Sequence, residues 1–272
     1  MSSDHDARLA VDALRELYGE PFLHSVAGPA GVVHVTALWR ASASELRTMR
    51  INADTPKSAS DGLALFAARA RADAIVLTGK LLRDEPGLVY ELLDLGDMGR
   101  SLAAWRRDVL GKPEPPYLLI LTSGQDLPRS APVESWHPAL RSWPRPIIYT
   151  TREVADSVAH SAGQRVEIVG AQEPDIRAAI AYLRTQLDCG TVVIEAGPST
   201  TNSLYDDPVA VDELLLSVYR SDDLPTTVRG GLSVSPARLG EIFGRAEMER
   251  AMQPAMAGTW SFWRLVRARA QT

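Results

Sequence analysis

Short apolar segments that alternate with helical segments constrain this chain more than any other feature. Within the middle of the chain, apolar residues recur on one helix face over 60–71, 101–110, 152–161 and 174–187. Ser58 and Ser60 are both candidate N-caps for the first of these helices. Between and after them lie apolar runs that predict strands at 73–79, 117–121, 146–149, 166–169 and 191–195. This order predicts an α/β fold with a mostly parallel central sheet and helices on both faces.

The N-terminal part adds one helix and one strand to this alternation. Residues 7–18 place their apolar side chains on one helix face, and Gly19 ends that helix as an N-terminal extension. Residues 32–38 predict a strand, whereas 41–52 follow neither the helical nor the strand period.

The C-terminal part has a different pattern. Residues 213–219 and 260–266 predict strands, and Gly230-Gly231 between them predicts a turn. These late strands fit an antiparallel edge added to the parallel sheet. Because the chain contains no repeat and no low-complexity tract, we expect one domain over 1–272.

Composition excludes several classes of function. A net charge of −5 argues against a nucleic-acid partner, whose binding rests on clustered Lys and Arg. The single cysteine, Cys189, excludes an internal disulfide and zinc sites built on paired cysteines. The five histidines have no metal-ligand spacing, so we expect no metal site and assign His34, which alternates within a strand, to packing or the surface. No apolar run is long enough to cross a bilayer, and no secretory signal is present, so we expect a cytoplasmic protein with small-molecule ligands.

The predicted strands end in small or hydroxyl residues. In an open α/β sheet, ligands bind at the carboxyl ends of the strands, where small residues let backbone amides approach a phosphate. At one such end, Gly197 suits an N-cap and Pro198 the first helical position, and the amides of that helix start would face an anion. Threonine and glycine also end many strands that bind nothing. Together the strand ends favour a nucleotide site: Thr78-Gly79, Thr122-Ser123-Gly124, Thr150-Thr151 and Glu195-Ala196-Gly197.

Two carboxylates lie close to these ends. Glu195 ends a core strand, where a charge must either face a cleft or be satisfied, for example by backbone amides. Asp84 precedes Glu85-Pro86, and its structural alternative is a loop acid that caps a turn.

The motifs occur in an order that resembles one known family. An Arg-Ala-rich helix leads into Asp73-Ala74-Ile75, a strand, Gly79 and then the segment Asp84-Glu85-Pro86-Gly87-Leu88. The turn at Glu195 is later followed by Val211-Asp212-Glu213-Leu214. Over 32–219 these features resemble the reductase domain of bacterial riboflavin-biosynthesis deaminase–reductases, whose corresponding turn is Glu-Gly-Gly-Pro.

The resemblance implies the three-layer dihydrofolate-reductase-like fold, NADPH as hydride donor and a homodimer. By this likeness the cofactor groove is lined by Gly79, Thr122 and Ser123, with Ser123 near the adenosine 2′-phosphate. The pyrophosphate is assigned to the turn and helix start formed by Ala196, Gly197, Pro198, Ser199 and Thr200. Asp84 and Glu195 would face the substrate and the nicotinamide, where they orient or polarise groups while the cofactor performs the chemistry.

The chain also departs from the family pattern. The Asp-Gly after the first strand is absent, the interval from Gly79 to Asp84 is short, and Ala196 replaces the first glycine of the turn. An alanine methyl crowds a phosphate there unless φ stays negative. The family's zinc deaminase motifs are missing. Two hypotheses follow: a stand-alone NADPH-dependent reductase of a small heterocyclic or ribosyl substrate, and a catalytically degenerate dimeric nucleotide-binding protein of the same fold.

Overall fold

A computed structural model describes residues 7–25, 31–85, 96–125, 127, 131–159, 165–244, 249–255 and 258–268. In this part of the chain, eleven strands form one sheet. The strands are β1 (Gly31–Ser42), β2 (Glu45–Met49), β3 (Ala74–Thr78), β4 (Tyr117–Leu121), β5 (Pro146–Thr151), β6 (Glu167–Ala171), β7 (Thr191–Ile194), β8 (Glu213–Arg220), β9 (Arg229–Val234), β10 (Glu249–Ala255) and β11 (Gly258–Val266).

Helices connect and cover these strands. They are α1 (Arg8–Tyr18), α2 (Glu20–Ser25), α3 (Ala59–Arg71), α4 (Gly79–Asp84), α5 (Gly96–Ala104), α6 (Pro138–Ser142), α7 (Arg152–Val158), α8 (Ile176–Gln186), α9 (Pro198–Thr201) and α10 (Pro236–Phe243). A π-helical turn continues α5 over Trp105–Val109, and a 3₁₀ turn continues α9 over Asn202–Tyr205. None of the described helices is both long and apolar enough to span a bilayer.

The sheet is parallel through its centre and antiparallel at one edge. Its order is β10-β11-β8-β1-β7-β3-β4-β5-β6, and the neighbours from β8 to β6 are parallel. β11 is antiparallel to β8, and β10 is antiparallel to β11. The predicted mostly parallel sheet with an antiparallel C-terminal edge is therefore confirmed. β8 joins the parallel part to the antiparallel edge, because it pairs in parallel with β1 on one side and antiparallel with β11 on the other. Its residues are almost all buried.

The prediction of a turn at Gly230-Gly231 is wrong. Both glycines lie in β9, which pairs with β2, and β2 in turn forms an antiparallel hairpin with β1. A Cβ atom at Gly230 would lie 1.7 Å from the carbonyl oxygen of Thr48 in β2. Glycine is needed here because the backbones of β9 and β2 approach closely within the sheet. It does not mark a turn.

Apolar side chains fill both faces of the sheet. On one face α3 packs its small residues, among them Ala67 and Ala68, with the side chains of α1 and α5. On the other face α8 and α10 pack against β7 and β8. Ser58 caps α3, since its hydroxyl accepts a hydrogen bond from the Asp61 amide at 3.3 Å. The helices therefore lie on both faces, as the alternation predicts.

A buried ion cluster anchors the C-terminal end of α3. The Glu213 carboxylate at the start of β8 accepts hydrogen bonds from Arg71 at 2.6 and 3.1 Å, and from Arg264 of β11 at 2.7 Å. Burial alone would raise the pKa of Glu213, but the two guanidinium groups outweigh it and hold the pKa at about 2.

Candidate functional site

The carboxyl ends of β3 and β4 meet directly. Thr78 caps α4, because its hydroxyl accepts a hydrogen bond from the Leu81 amide at 3.2 Å, so Gly79 begins that helix. A Cβ atom at Gly79 would lie 2.8 Å from the Thr122 hydroxyl and 3.2 Å from the Trp136 ring. The structure thus brings Gly79 and Thr122 together at one edge of the sheet.

The residues after β4 form a tight turn on this edge. The Gly124 amide donates a hydrogen bond to the Thr122 hydroxyl at 3.1 Å, and Gly124 has a φ of 77°. A side chain at Gly124 would collide with Val154 of α7. Ser123 lies between Thr122 and Gly124 in this turn and is exposed. Its hydroxyl is therefore accessible at the rim of the strand-end edge.

The turn after β7 begins a helix at the predicted position. Gly197 is the N-cap of α9 and Pro198 its first residue, and the Thr200 and Thr201 amides donate to the Gly197 carbonyl at 2.9 and 3.1 Å. α9 is only four residues long before the 3₁₀ turn. Gly197 and Ser199 are exposed, and a Cβ atom at Gly197 would meet nothing within 4 Å. The space in front of this helix start is open.

Ala196 does not crowd that space. Among the non-glycine residues that the structure describes, Asp188 alone has a positive φ, so Ala196 keeps a negative φ. Ala196 is buried within the apolar cluster on the α8 and α10 face of the sheet. Its methyl group is therefore used in packing, and an alanine here is compatible with the turn.

Glu195 lies in a buried ion pair with Arg69 of α3. The Arg69 Nε and Nη2 atoms donate to the two carboxylate oxygens at 2.7 and 2.6 Å, and the side chains are 1% and 6% exposed. The Arg69 guanidinium also lies 4.9 Å from the centre of the Phe66 ring. Glu195 is thus satisfied by a guanidinium, where backbone amides were one expected alternative. The pair lies directly before the α9 turn.

Asp84 and its neighbour Glu85 have different surroundings. Asp84 is the last residue of α4, is exposed and pairs with Lys80. Glu85 is half-buried, and its pKa is raised to about 7, first by burial and then by the charges of Asp84 and Glu195. Glu85 is therefore the carboxylate that the structure couples electrostatically to the Arg69–Glu195 pair. The sequence places it beside Asp84 but contains no local signal of its burial.

A cavity of about 340 Å³ lies beside α9, and Pro198 is among its lining residues. The middle of β1, over 34–38, forms one wall and residues of the segment 198–206 form another. β2, β8, β9 and α10 contribute the rest. His34 lines it and is buried, as the sequence pattern allows. No cluster of metal-ligating side chains occurs within the described ranges.

Comparison with known proteins adds a structural likeness. No protein-family model matches the sequence, and no curated protein is similar enough in sequence to count as a match. The chain is similar to a pyrimidine reductase-like protein from Corynebacterium diphtheriae, with 15% identity, coverage of 95% of this chain and 99% of that chain, and a TM-score of 0.56. It is similar to RibD from Acinetobacter baumannii with 15% identity, coverage of 90% and 60%, and a TM-score of 0.52.

A third solved structure is the riboflavin biosynthesis reductase Rib7 from Saccharomyces cerevisiae, with 16% identity, coverage of 90% of this chain and 98% of that chain, and a TM-score of 0.50. The matched part of RibD is about three-fifths of that protein. At these identities the likeness shows the fold, so the expected dihydrofolate-reductase-like fold is confirmed.

Proposed function

We propose that this chain is an NADPH-dependent reductase of a small heterocyclic or ribosyl substrate, a reductase of the pyrimidine type. The observation that carries the proposal is that Gly79, Thr122 and the start of α9 all follow the carboxyl ends of neighbouring parallel strands, with open space beside Gly197. This edge is formed by the carboxyl ends of neighbouring parallel strands, where α/β folds bind their ligands.

The residues of this edge fit NADPH. Open space in front of Gly197, with the Ala196 methyl directed into the core, leaves room for a pyrophosphate at the turn of Ala196, Gly197, Pro198, Ser199 and Thr200. Gly79 and Thr122 would line the groove, and the exposed Ser123 hydroxyl would donate to the 2′-phosphate. When bound, NADPH supplies the hydride to the substrate.

The three carboxylates of the site then take different roles. The Arg69–Glu195 pair, almost fully buried directly before the α9 turn, would hold that turn in the position that orients the reacting groups. Glu85, with a pKa of about 7, is able to donate the proton that reduction of a polarised double bond requires. Asp84, exposed and paired with Lys80, would contact the substrate from the rim.

The alternative, a degenerate nucleotide-binding protein, is favoured by one specific observation. The charge of Glu195 is already balanced by Arg69, which leaves less unpaired charge at the site than a polarising carboxylate needs. Binding without turnover is the outcome that would distinguish this alternative from the reductase.

Calorimetric titration with NADPH and NADH tests the cofactor assignment. We expect NADPH to bind at least about tenfold more tightly than NADH, and Ser123→Ala to remove most of that difference. Ser157→Ala, an exposed serine on α7, is the matched control and should leave both affinities unchanged. Absence of binding of either nucleotide at millimolar concentration would refute the proposal. Turnover with ribosylaminopyrimidine or dihydropteridine substrates would then separate the reductase from the binding protein.

We also propose a homodimer, as the family resemblance implies. Ile51, Leu232 and Val266 are exposed apolar side chains, and a second copy that covered any of them would remove apolar surface from water. Light scattering across a concentration series measures this directly, and a monomeric mass at high micromolar concentration would exclude the dimer.

A further inference from the structure

The ring of Trp136 lies where the ends of β3 and β4 meet. A Cβ atom at Gly79 would lie 3.2 Å from Cη2 of this ring and 2.8 Å from the Thr122 hydroxyl. The ring therefore reaches the first residue of α4, and glycine at that position leaves room for it. Gly79 and Thr122 are the residues that the proposed function assigns to the cofactor groove, so Trp136 borders that groove.

Part of the Trp136 side chain is accessible. It packs against the apolar cluster on the α3 face of the sheet but is only half-buried. Its Nε1–H makes no hydrogen bond within the described part of the chain and is accessible to solvent. By contrast, the indole N–H groups of Trp143 and Trp263 donate to the Pro116 carbonyl at 2.8 Å and to the Ser261 hydroxyl at 3.0 Å. A half-exposed indole with a free donor offers a planar ligand both contact area and a polar group.

Local structure fixes the position of this ring. The Trp136 amide donates to the Val133 carbonyl at 3.0 Å, which closes the 3₁₀ turn Val133–Ser135, and Val133 is fully buried. On the other side, His137 caps α6, because its Nδ1 atom accepts a hydrogen bond from the Ala139 amide at 3.1 Å. The backbone is thus anchored on both sides of Trp136. A ligand that contacts such a fixed ring orders little of the protein on binding.

The order of the strands places Trp136 toward the adenosine half of the cofactor. β7, β3 and β4 are consecutive neighbours in the sheet, so the α9 start, Gly79 and Ser123 follow one another along the strand ends. The proposed function assigns the pyrophosphate to the α9 start and the 2′-phosphate to Ser123. Because the adenosine ribose carries the 2′-phosphate, the adenosine would lie at the ends of β3 and β4, where Trp136 is. The nicotinamide half would extend from the pyrophosphate toward β1.

We propose that Trp136 is the aromatic wall of the adenosine subsite and that the adenine ring of NADPH stacks on its indole. This inference rests on the proposed function and adds a residue that recognises the base, whereas Ser123 recognises the phosphate. Adenine is an uncharged planar ring, and a base that stacks on an aromatic side chain gains about tenfold or more in affinity relative to alanine at the same position.

Calorimetry with NADPH and with adenosine 2′,5′-bisphosphate, which represents the adenosine half alone, tests the inference. We expect Trp136→Ala to weaken the binding of both ligands about tenfold or more. Trp136→Phe keeps an aromatic ring and should stay within about threefold of wild type. Trp263→Ala is the matched control, since Trp263 is a half-buried tryptophan on β11, far from β4 in the sheet order, and should leave both affinities unchanged.

Tryptophan fluorescence adds a readout that a merely structural role of Trp136 would not change. Adenine that stacks on an indole quenches its emission. Adenosine 2′,5′-bisphosphate should therefore quench the fluorescence of the wild-type protein and of Trp263→Phe. It should quench Trp136→Phe much less, although that variant keeps its affinity. This comparison keeps the test valid if Trp136→Ala fails to fold.

The results separate this inference from the proposed function. The inference is overturned if Trp136→Ala binds the bisphosphate as tightly as wild type, or more tightly, as it would if the ring obstructed the groove. It is also overturned if the variant loses affinity for NADPH alone, which would place the ring against the nicotinamide. In each of these cases NADPH binding by the wild-type protein still supports the proposed function. If the wild-type protein binds neither ligand at millimolar concentration, the proposed cofactor and the role of Trp136 are both refuted.

Discussion

The buried Arg69–Glu195 pair permits a quantitative test of the candidate site. Arg69→Met removes the guanidinium but leaves Glu195, 6% exposed, as an uncompensated buried charge. Breaking a buried pair in this way costs about 3–5 kcal/mol, and the lost contact with the Phe66 ring adds about 0.5–2 kcal/mol. The free energy of unfolding of a natural protein is only about 5–15 kcal/mol. This single change should therefore remove a large part of the stability.

The double variant Arg69→Met/Glu195→Leu should behave differently. Replacing both members of a buried pair with apolar side chains is often neutral or stabilising, so we expect the double variant within about 2 kcal/mol of wild type. Glu195→Leu alone strands the Arg69 guanidinium and should cost about as much as Arg69→Met. The two single changes are therefore expected to be strongly non-additive.

Urea unfolding, followed by circular dichroism and tryptophan fluorescence, measures these free energies. Arg47→Met is the control, since Arg47 pairs with Glu45 at 3.0 Å on the surface and should cost less than about 1 kcal/mol. If Arg69→Met costs no more than this control, or if the double variant loses the sum of the single variants, the pair does not hold α3 against β7 as described.

Three further predictions concern ionisation and packing. The pKa of Glu213 is about 2 in the folded protein against an ordinary 4.5, so its stabilisation is present above pH 4.5 and is lost as the pH falls toward 2. Urea unfolding at pH 7 and pH 3 should show a loss of about 2 kcal/mol that Glu213→Gln lacks, and an equal loss in that variant would contradict the assignment. The contribution of Glu85 to stability depends on pH in the opposite direction. Its folded pKa of about 7 lies above the ordinary 4.5, so its ionisation destabilises the fold as the pH rises through 7. Glu85→Gln should gain about 1 kcal/mol over wild type at pH 8 relative to pH 4, after allowance for solvent screening of this half-exposed group, and a pH-independent difference in unfolding free energy would argue against it. Gly230→Ala should cost about 3 kcal/mol or more in thermal or urea unfolding because its Cβ would meet the Thr48 backbone, whereas Gly231→Ala meets nothing within 4 Å and should stay within about 1 kcal/mol; equal costs would refute the close approach of β9 to β2.

The central sheet could be predicted from the sequence because its strands are short apolar runs between amphipathic helices. β4, for example, has the predicted bounds, and α3 begins one residue before the predicted position. β2 and β9 were not predicted, since both are short and β9 contains two adjacent glycines that also occur in turns. Pairing between such strands is decided by tertiary contact, as the approach of Gly230 to Thr48 illustrates.

The sequence predicts those parts of the candidate site that lie at the ends of strands. It does not predict the parts that depend on which distant side chains pair with each other. Gly79 and Thr122 meet because parallel neighbours end at the same edge. The pairing of Arg69 with Glu195 joins residues 126 positions apart, and no local pattern indicates which acid a buried arginine will meet. The burial of Glu85 depends on the same distant contacts.

The position of β1 at the centre of the sheet has a consequence for folding kinetics. β1 is early in the sequence, yet its neighbours on both sides are β7 and β8, and the Val32 amide bonds to Asp212, 180 positions along the chain. The chain loses conformational entropy when it closes loops of this length, and the stabilising contacts form only afterwards. Folding is slowed for this reason. During synthesis, β1 therefore cannot pair with β7 and β8 until most of the chain has been made. We expect slow refolding, with the centre of the sheet gaining hydrogen-exchange protection last.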